Sequence, residues 1–333
     1  MAAPALVLPD EKNKYEDLTG IKVQPGDNPY QALLTACDDD PSLYSTHRTL
    51  RNAQQRAKFL DPAFQEVLVD PYLLRIENPS IDPTFQDPRY GLVFWARPPE
   101  HILQLASHIQ QVLKAASPNI WVMPLQRMHM TALEIVHSLT PEESKAVVDT
   151  TSPGIPGIVN YTYAHRARLV KPMISYDLAA VALSFVPAAD EPHASPSPIP
   201  PVTEEEASPP SSYTYHHLRR DLFDKAKETG VEVASRYVVP SAHITLARFM
   251  DTKEYATPEA RLAWVEALEA LNEWLEKEVW DSVWADAEGK QALLPPHRRF
   301  VGEWVVGQER GLDARTGALW YGGGRSVMVG EGF

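Results

Sequence analysis

Two short strings in the sequence carry residues that could do acid–base chemistry together. They are His129-Met130-Thr131-Ala132, within RMHMTALEIV, and His243-Ile244-Thr245-Leu246, within SAHITLARF. In an extended strand residues two apart share a face, so each string sets an imidazole and a hydroxyl on one side and two apolar residues on the other. A neutral imidazole accepts a proton and a charged one donates it. With ordinary values of ~6.5, both forms coexist near neutrality. The threonine hydroxyls can donate to oxygens that gain negative charge as a phosphate reacts. If the two strings face one cleft, the natural reaction is opening of a 2′,3′-cyclic phosphate by water, its reverse, or a related transesterification. Which histidine is base and which is acid stays open, and with it the choice of a 2′- or a 3′-phosphate product. A third His-x-Thr, His47-Arg48-Thr49, sits in a Gln- and Arg-rich stretch of helical spacing without alternating apolar partners, and is set aside.

Several neighbours are weaker candidates for substrate binding. Arg127 shares the parity of His129 and could hold a phosphate. Arg248 trails the second string, although strict alternation turns it away from His243. Tyr321, beside Trp320 and the run Gly322-Gly323-Gly324-Arg325, could frame a wall on which a base stacks. Glu134 falls on the Met130 face by the same alternation and is left out of the site. The glycine run lacks the Lys-Ser/Thr of a triphosphate-binding loop. No set of histidines and carboxylates at ligand spacing argues for a metal, and no cofactor is expected.

Elements that could position these residues can be read from residue 89 onward. Residues 92–97 (LVFWAR) read as a buried strand, and Pro98 and Pro99 suit the start of a helix whose apolar face is Ile102, Leu103, Ala106, Ile109, Val112 and Leu113. Strands are expected over 120–123 and 128–136, then a helix capped by Thr140. The second half follows the plan again: a strand over 175–186, a helix over 215–230 closed by Gly230, strands over 231–239 and 243–249, and a long helix over 258–280 capped by Thr257. A terminal hairpin is expected from 303–306 and 319–329, with its turn at 311–317. Strand–helix–strand–strand appears twice, so the reading is a duplicated α+β fold and not a doubly wound parallel sheet.

Residues 1–88 read as a helical N-terminal extension without an assigned task, with Gln54, Gln55, Arg56 and Lys58 on a solvated face. The remaining 89–333 forms the two-lobed domain. Within it, residues 187–212 hold eight prolines, five acidic residues and no Lys or Arg, the composition of an exposed, disordered insertion. Across the whole chain of 333 residues, 31 Lys and Arg face 44 Asp and Glu, for a net charge of −13. Long duplex nucleic acid, which is held by many phosphate contacts, is therefore a poor partner, whereas a nucleotide or short RNA needs only a small basic pocket. No apolar run reaches the ~18 residues of a membrane span, the start of the chain does not look like a secretory signal, and the one cysteine, Cys37, cannot build a disulfide framework or a Cys-based zinc cluster. A soluble protein of the cytoplasm or nucleus is the expectation; the oligomeric state is not readable.

The paired His-x-Thr-x strands, one per half, resemble those of the two-histidine (2H) phosphoesterase superfamily, which includes 2′-5′ RNA ligase-like and cyclic phosphodiesterase proteins. The second string with its trailing Arg248 is similar to that family's second motif, and the resemblance covers about residues 90–333. It implies a two-lobed fold with antiparallel sheets lining a central cleft and helices outside. It also implies metal-independent phosphodiesterase chemistry on 2′,3′-cyclic or 2′-5′-linked nucleotides, with His129, Thr131, His243 and Thr245 as the reacting set. A 3′-end-trimming RNA exonuclease belongs to the same class. A non-catalytic module that holds RNA ends or a protein partner is the rival of a different class, and such a binder has no need to keep both imidazoles.

Overall fold

In the computed structural model, the described residues are 20–24, 26–38, 40, 42–188, 213–235, 238–280, 284–285, 291–292 and 299–333. The insertion expected over 187–212 lies, from 189 onward, outside them. Residues Leu92 to Ala96 are all buried, as an unbroken run of β-forming apolar residues requires of a strand covered on both faces. That strand, β1 (Tyr90–Ala96), sits inside a curled antiparallel sheet with β2 (Trp121–Val122), β3 (Met130–Leu139), β4 (Ala167–Tyr176), β5 (Ala180–Pro187) and β6 (Ala242–Arg248). After a separate ribbon of β7 (Trp284–Ala285) and β8 (Gln291–Ala292), the sheet is completed by β9 (Trp304–Val306), β10 (Arg310–Ala318) and β11 (Arg325–Glu331). The order is β11-β10-β1-β3-β6-β5-β4-β9, with β2 paired to the end of β6.

Helices cover the sheet: α1 (Pro29–Ala36), α2 (Ser42–Leu60), α3 (Pro71–Glu77), α4 (Glu100–Ala116), α5 (Pro141–Thr151), the short α6 (Ile155–Val159) and α7 (Tyr161–Ala164), α8 (Tyr215–Glu228) and α9 (Pro258–Glu278). Their starts follow the sequence signals. Thr140 and Glu143 form a reciprocal capping box at α5, and the Thr257 hydroxyl accepts from the Ala260 amide at α9. Gly230, just past α8, takes the left-handed conformation at φ +85° that glycine adopts without strain. Helices α1 to α3 do not stand apart from the sheet: Tyr30, Phe59 and Leu73 are fully buried in the same hydrophobic cluster as β1 and β3. Gln55 of α2, expected on a solvated face, is 2% exposed.

Three expected elements differ. The strand over 175–186 is a hairpin of β4 and β5, turned at Asp177, whose carboxylate accepts the backbone N–H groups of Ala179 and Ala180 in place of a glycine turn. The described residues between 231 and 239 form no strand; Ala234 makes one backbone bond to the Ile135 carbonyl. The terminal hairpin joins β10 and β11 through residues 319–324, while 311–317 lie inside β10 and residues 304–306 pair with β4 instead. Glycines at 311 and 317 are there for close packing and a positive φ within a strand, which sequence reading mistook for a turn. Among the described residues no helix is long and apolar enough to cross a membrane.

Candidate active site

The four residues singled out first meet where the two halves of the sheet join. Between β3 and β6 the ladder holds one residue pair, Met130 opposite Ile244. Both side chains are buried, at 1% and 0% exposure, so the residues on either side of them face the other way. Extending the antiparallel register by one residue sets His129 across from Thr245 and Thr131 across from His243. Each imidazole thus has the other strand's hydroxyl as its cross-strand neighbour.

Both strands are bulged just beyond this square. On β3, Phe94 pairs with Leu133 but Trp95 with Thr131, so Ala132 is an extra residue. On β6, Val181 pairs with Ala247 but Ala182 with Thr245, so Leu246 is extra. A bulge resets the alternation that follows it. Glu134 and Arg248, each five residues after its histidine, therefore turn to the cleft side, and both line the cavity that holds His129 and Thr131. This corrects the sequence reading, in which strict alternation turned both away. The bulge carbonyls, which have no regular ladder position, are satisfied by side chains from helices. Arg219 Nε donates to Ala132 O at 3.3 Å and Gln110 Nε2 to Leu246 O at 2.9 Å, the latter carbonyl also accepting the Met123 amide.

His129 lies flat on Trp95, with ring centroids 3.7 Å apart and planes 16° from parallel. Arg97 and Arg315 flank the same indole, and Arg97 is ion-paired to Asp313 at 2.7 Å. His129 Nδ1 donates to the Arg127 carbonyl at 2.8 Å. A carbonyl can only accept, so the proton of the neutral ring sits on Nδ1 and the lone pair on Nε2. His243 Nδ1 meets the Ser241 hydroxyl at 2.9 Å, a partner that can donate or accept. Burial pushes His129 down to about 3; the Arg127 carbonyl opposes this, and the charges of Arg97, His243 and Arg315 add to it. Burial also pushes His243 down to about 4, helped by Arg51, Arg219 and Arg248 and opposed by Asp177. Without a ligand both rings are neutral at neutral pH.

Two adjoining cavities of about 80 Å³ each flank the square. His129 and Thr131 line the first and His243 the second, while Thr245 and Arg248 line both. Tyr321 lines the first cavity. Its ring lies 5.4 Å from the Arg248 guanidinium carbon, its hydroxyl bonds to Asp70 at the start of α3, and burial pushes its ionisation up. Trp320 lines this cavity too, with the Arg89 guanidinium 4.0 Å over its ring. Arg127 is exposed and lines neither cavity; it serves the site through its carbonyl. Sequence reading missed Glu134 and Trp95, and it missed Arg48 and Arg51 of α2, which line the second cavity. Parity was the available signal for Glu134, and the bulge hid it. No family model matches the chain, and no curated protein matches its sequence.

Proposed function

We propose that the protein is a metal-independent phosphodiesterase of the two-histidine kind, opening 2′,3′-cyclic phosphates or cleaving 2′-5′-linked nucleotides or short RNA. The observation that carries this reading is the Met130–Ile244 pair, which sets two imidazoles and two threonine hydroxyls on one face of adjacent strands. The reading includes a duplicated two-lobed fold, for which the support is the β3–β6 seam, one residue pair long, between β11-β10-β1-β3 and β6-β5-β4-β9, and a cytoplasmic or nuclear setting. A cluster of guanidinium groups around the square, in a chain of net charge −13, supports an anionic substrate.

The two histidines take different roles. His129 Nε2, with its lone pair fixed, accepts a proton from water as the water oxygen bonds to phosphorus. His243, the ring with a neighbouring carboxylate in Asp177, gives its proton to the ribose oxygen as the P–O bond breaks. Thr131, Thr245 and Arg248 stabilise the charge that builds on the non-bridging oxygens.

The test is incubation with each 2′,3′-cyclic nucleotide, and with short RNA ending in a cyclic phosphate, in the presence of a chelator. Turnover is expected, with a fall of about 10²- to 10⁴-fold in His129→Ala and in His243→Ala, the usual range for a lost acid or base. Activity surviving in both variants rejects the mechanism. Absence of turnover in the unsubstituted protein moves the cleft to the binding reading.

A further inference from the structure

The cavity on the His243 side has a charge imbalance that two-histidine chemistry does not use. Besides Arg248, which the proposed mechanism uses, its lining includes Arg48 and Arg51 with one carboxylate residue, Asp177, among the described residues. Arg51 is ion-paired to Asp177 at 2.8 Å. Arg48, one turn earlier on the same face of α2, is 6% exposed and has no carboxylate partner among the described residues. Its Nη1 donates to the carbonyls of Lys171 and Ser184 at 2.7 and 3.2 Å, and its Nε is buried without a hydrogen-bond partner among the described residues. Burial lowers the Arg48 ionisation to about 10, still charged at neutral pH.

A buried guanidinium without a counter-charge is costly, and an arriving anion relieves that cost. The reacting phosphate cannot be this anion. Its place is the square of histidines and threonines, at the junction that Thr245 and Arg248 share, whereas Arg48 and Arg51 line only the cavity beyond His243. The nearest chemistry that supplies two phosphates in one ligand is a nucleotide chain, held in a groove whose cations follow its backbone.

Resting on the phosphodiesterase reading, we propose that Arg48 and Arg51 form a subsite for a second phosphoryl group of the substrate, one nucleotide from the reacting phosphate. The preferred substrate is then a short oligonucleotide and not a cyclic mononucleotide. The helix with the discarded His47-Arg48-Thr49 string thereby gains a task.

Calorimetric binding of adenosine 3′-monophosphate and adenosine 3′,5′-bisphosphate to the full chain tests this without needing turnover. The bisphosphate is expected to bind at least about tenfold tighter, as charge-assisted contacts to one further phosphate allow. That ratio is expected to fall to within about twofold in Arg51→Gln and in Arg48→Gln, and to be largely kept in Arg48→Lys, which retains the charge. A ratio near one in the unsubstituted protein, or a ratio that neither glutamine variant changes, overturns the subsite. Loss of the catalytic reading alone would show as absent turnover with the binding ratio intact. If both hold, a dinucleotide ending in a cyclic phosphate has the higher kcat/KM.

Discussion

His129 enters the site with its proton already placed, because the Arg127 carbonyl fixes Nδ1–H and Trp95 fixes the plane of the ring. That arrangement was half legible. The His-x-Thr spacing is a local property of a strand and can be read from four letters, whereas the stacking partner lies on another strand, paired across a register that no local pattern states. The pH dependence follows from burial. The proposed mechanism needs one neutral and one charged imidazole in the free protein, and with the rings lowered to about 3 and about 4 the charged form of His243 becomes rarer as pH rises. The profile of kcat/KM is therefore expected to peak on the acid side of ~6.5, the ordinary histidine value. A bound phosphate favours the charged ring, so kcat should peak closer to neutrality. Measuring both profiles on one cyclic nucleotide checks this; a kcat/KM that climbs through pH 8 contradicts it.

The bulges at Ala132 and Leu246 belong to the scale of the element, and they show where sequence reading stops. Alternation predicts faces correctly up to Thr131 and Thr245 and wrongly beyond, since an extra residue is defined only by its partner strand. Helix starts were legible because caps are local: Thr140 and Thr257 announce α5 and α9 within four residues. The β4–β5 turn was not, because Asp177 does through its side chain what a glycine usually signals. Gln110 of α4 holds one bulge in place through two buried bonds, to Met123 O at 2.8 Å and Leu246 O at 2.9 Å. Gln110→Ala removes both bonds and is expected to cost about 1–3 kcal/mol, the net worth of two hydrogen bonds, measured by urea unfolding. Activity should fall too, through Arg248, whose direction depends on that bulge. A variant as stable and as active as the original would separate Gln110 from the site.

At the scale of the molecule, the N-terminal helices are part of the core. Their periodicity was visible, but their role depends on contacts more than a hundred residues away in sequence, such as Arg51 with Asp177 and Arg261 Nε with the Phe59 carbonyl at 2.7 Å. Helix α8 adds His216, whose Nε2 meets the Tyr30 carbonyl at 3.0 Å and which burial pushes down to about 3. With His129 and His243, three histidines are held neutral on folding. Below ~6.5 the unfolded chain takes up protons that the folded one refuses, so their contribution is complete above that pH and is lost as pH falls toward about 4. The urea midpoint at pH 5 is expected to lie below that at pH 7.5, and His216→Gln should narrow the gap. Equal midpoints would show that the folded protein admits the charge.

The lone Met130–Ile244 rung between β3 and β6 has one more effect. Warming that parts this seam draws the two imidazoles apart while the strand pairs on either side keep their hydrogen bonds, so the proposed activity should be lost some degrees before circular dichroism reports melting.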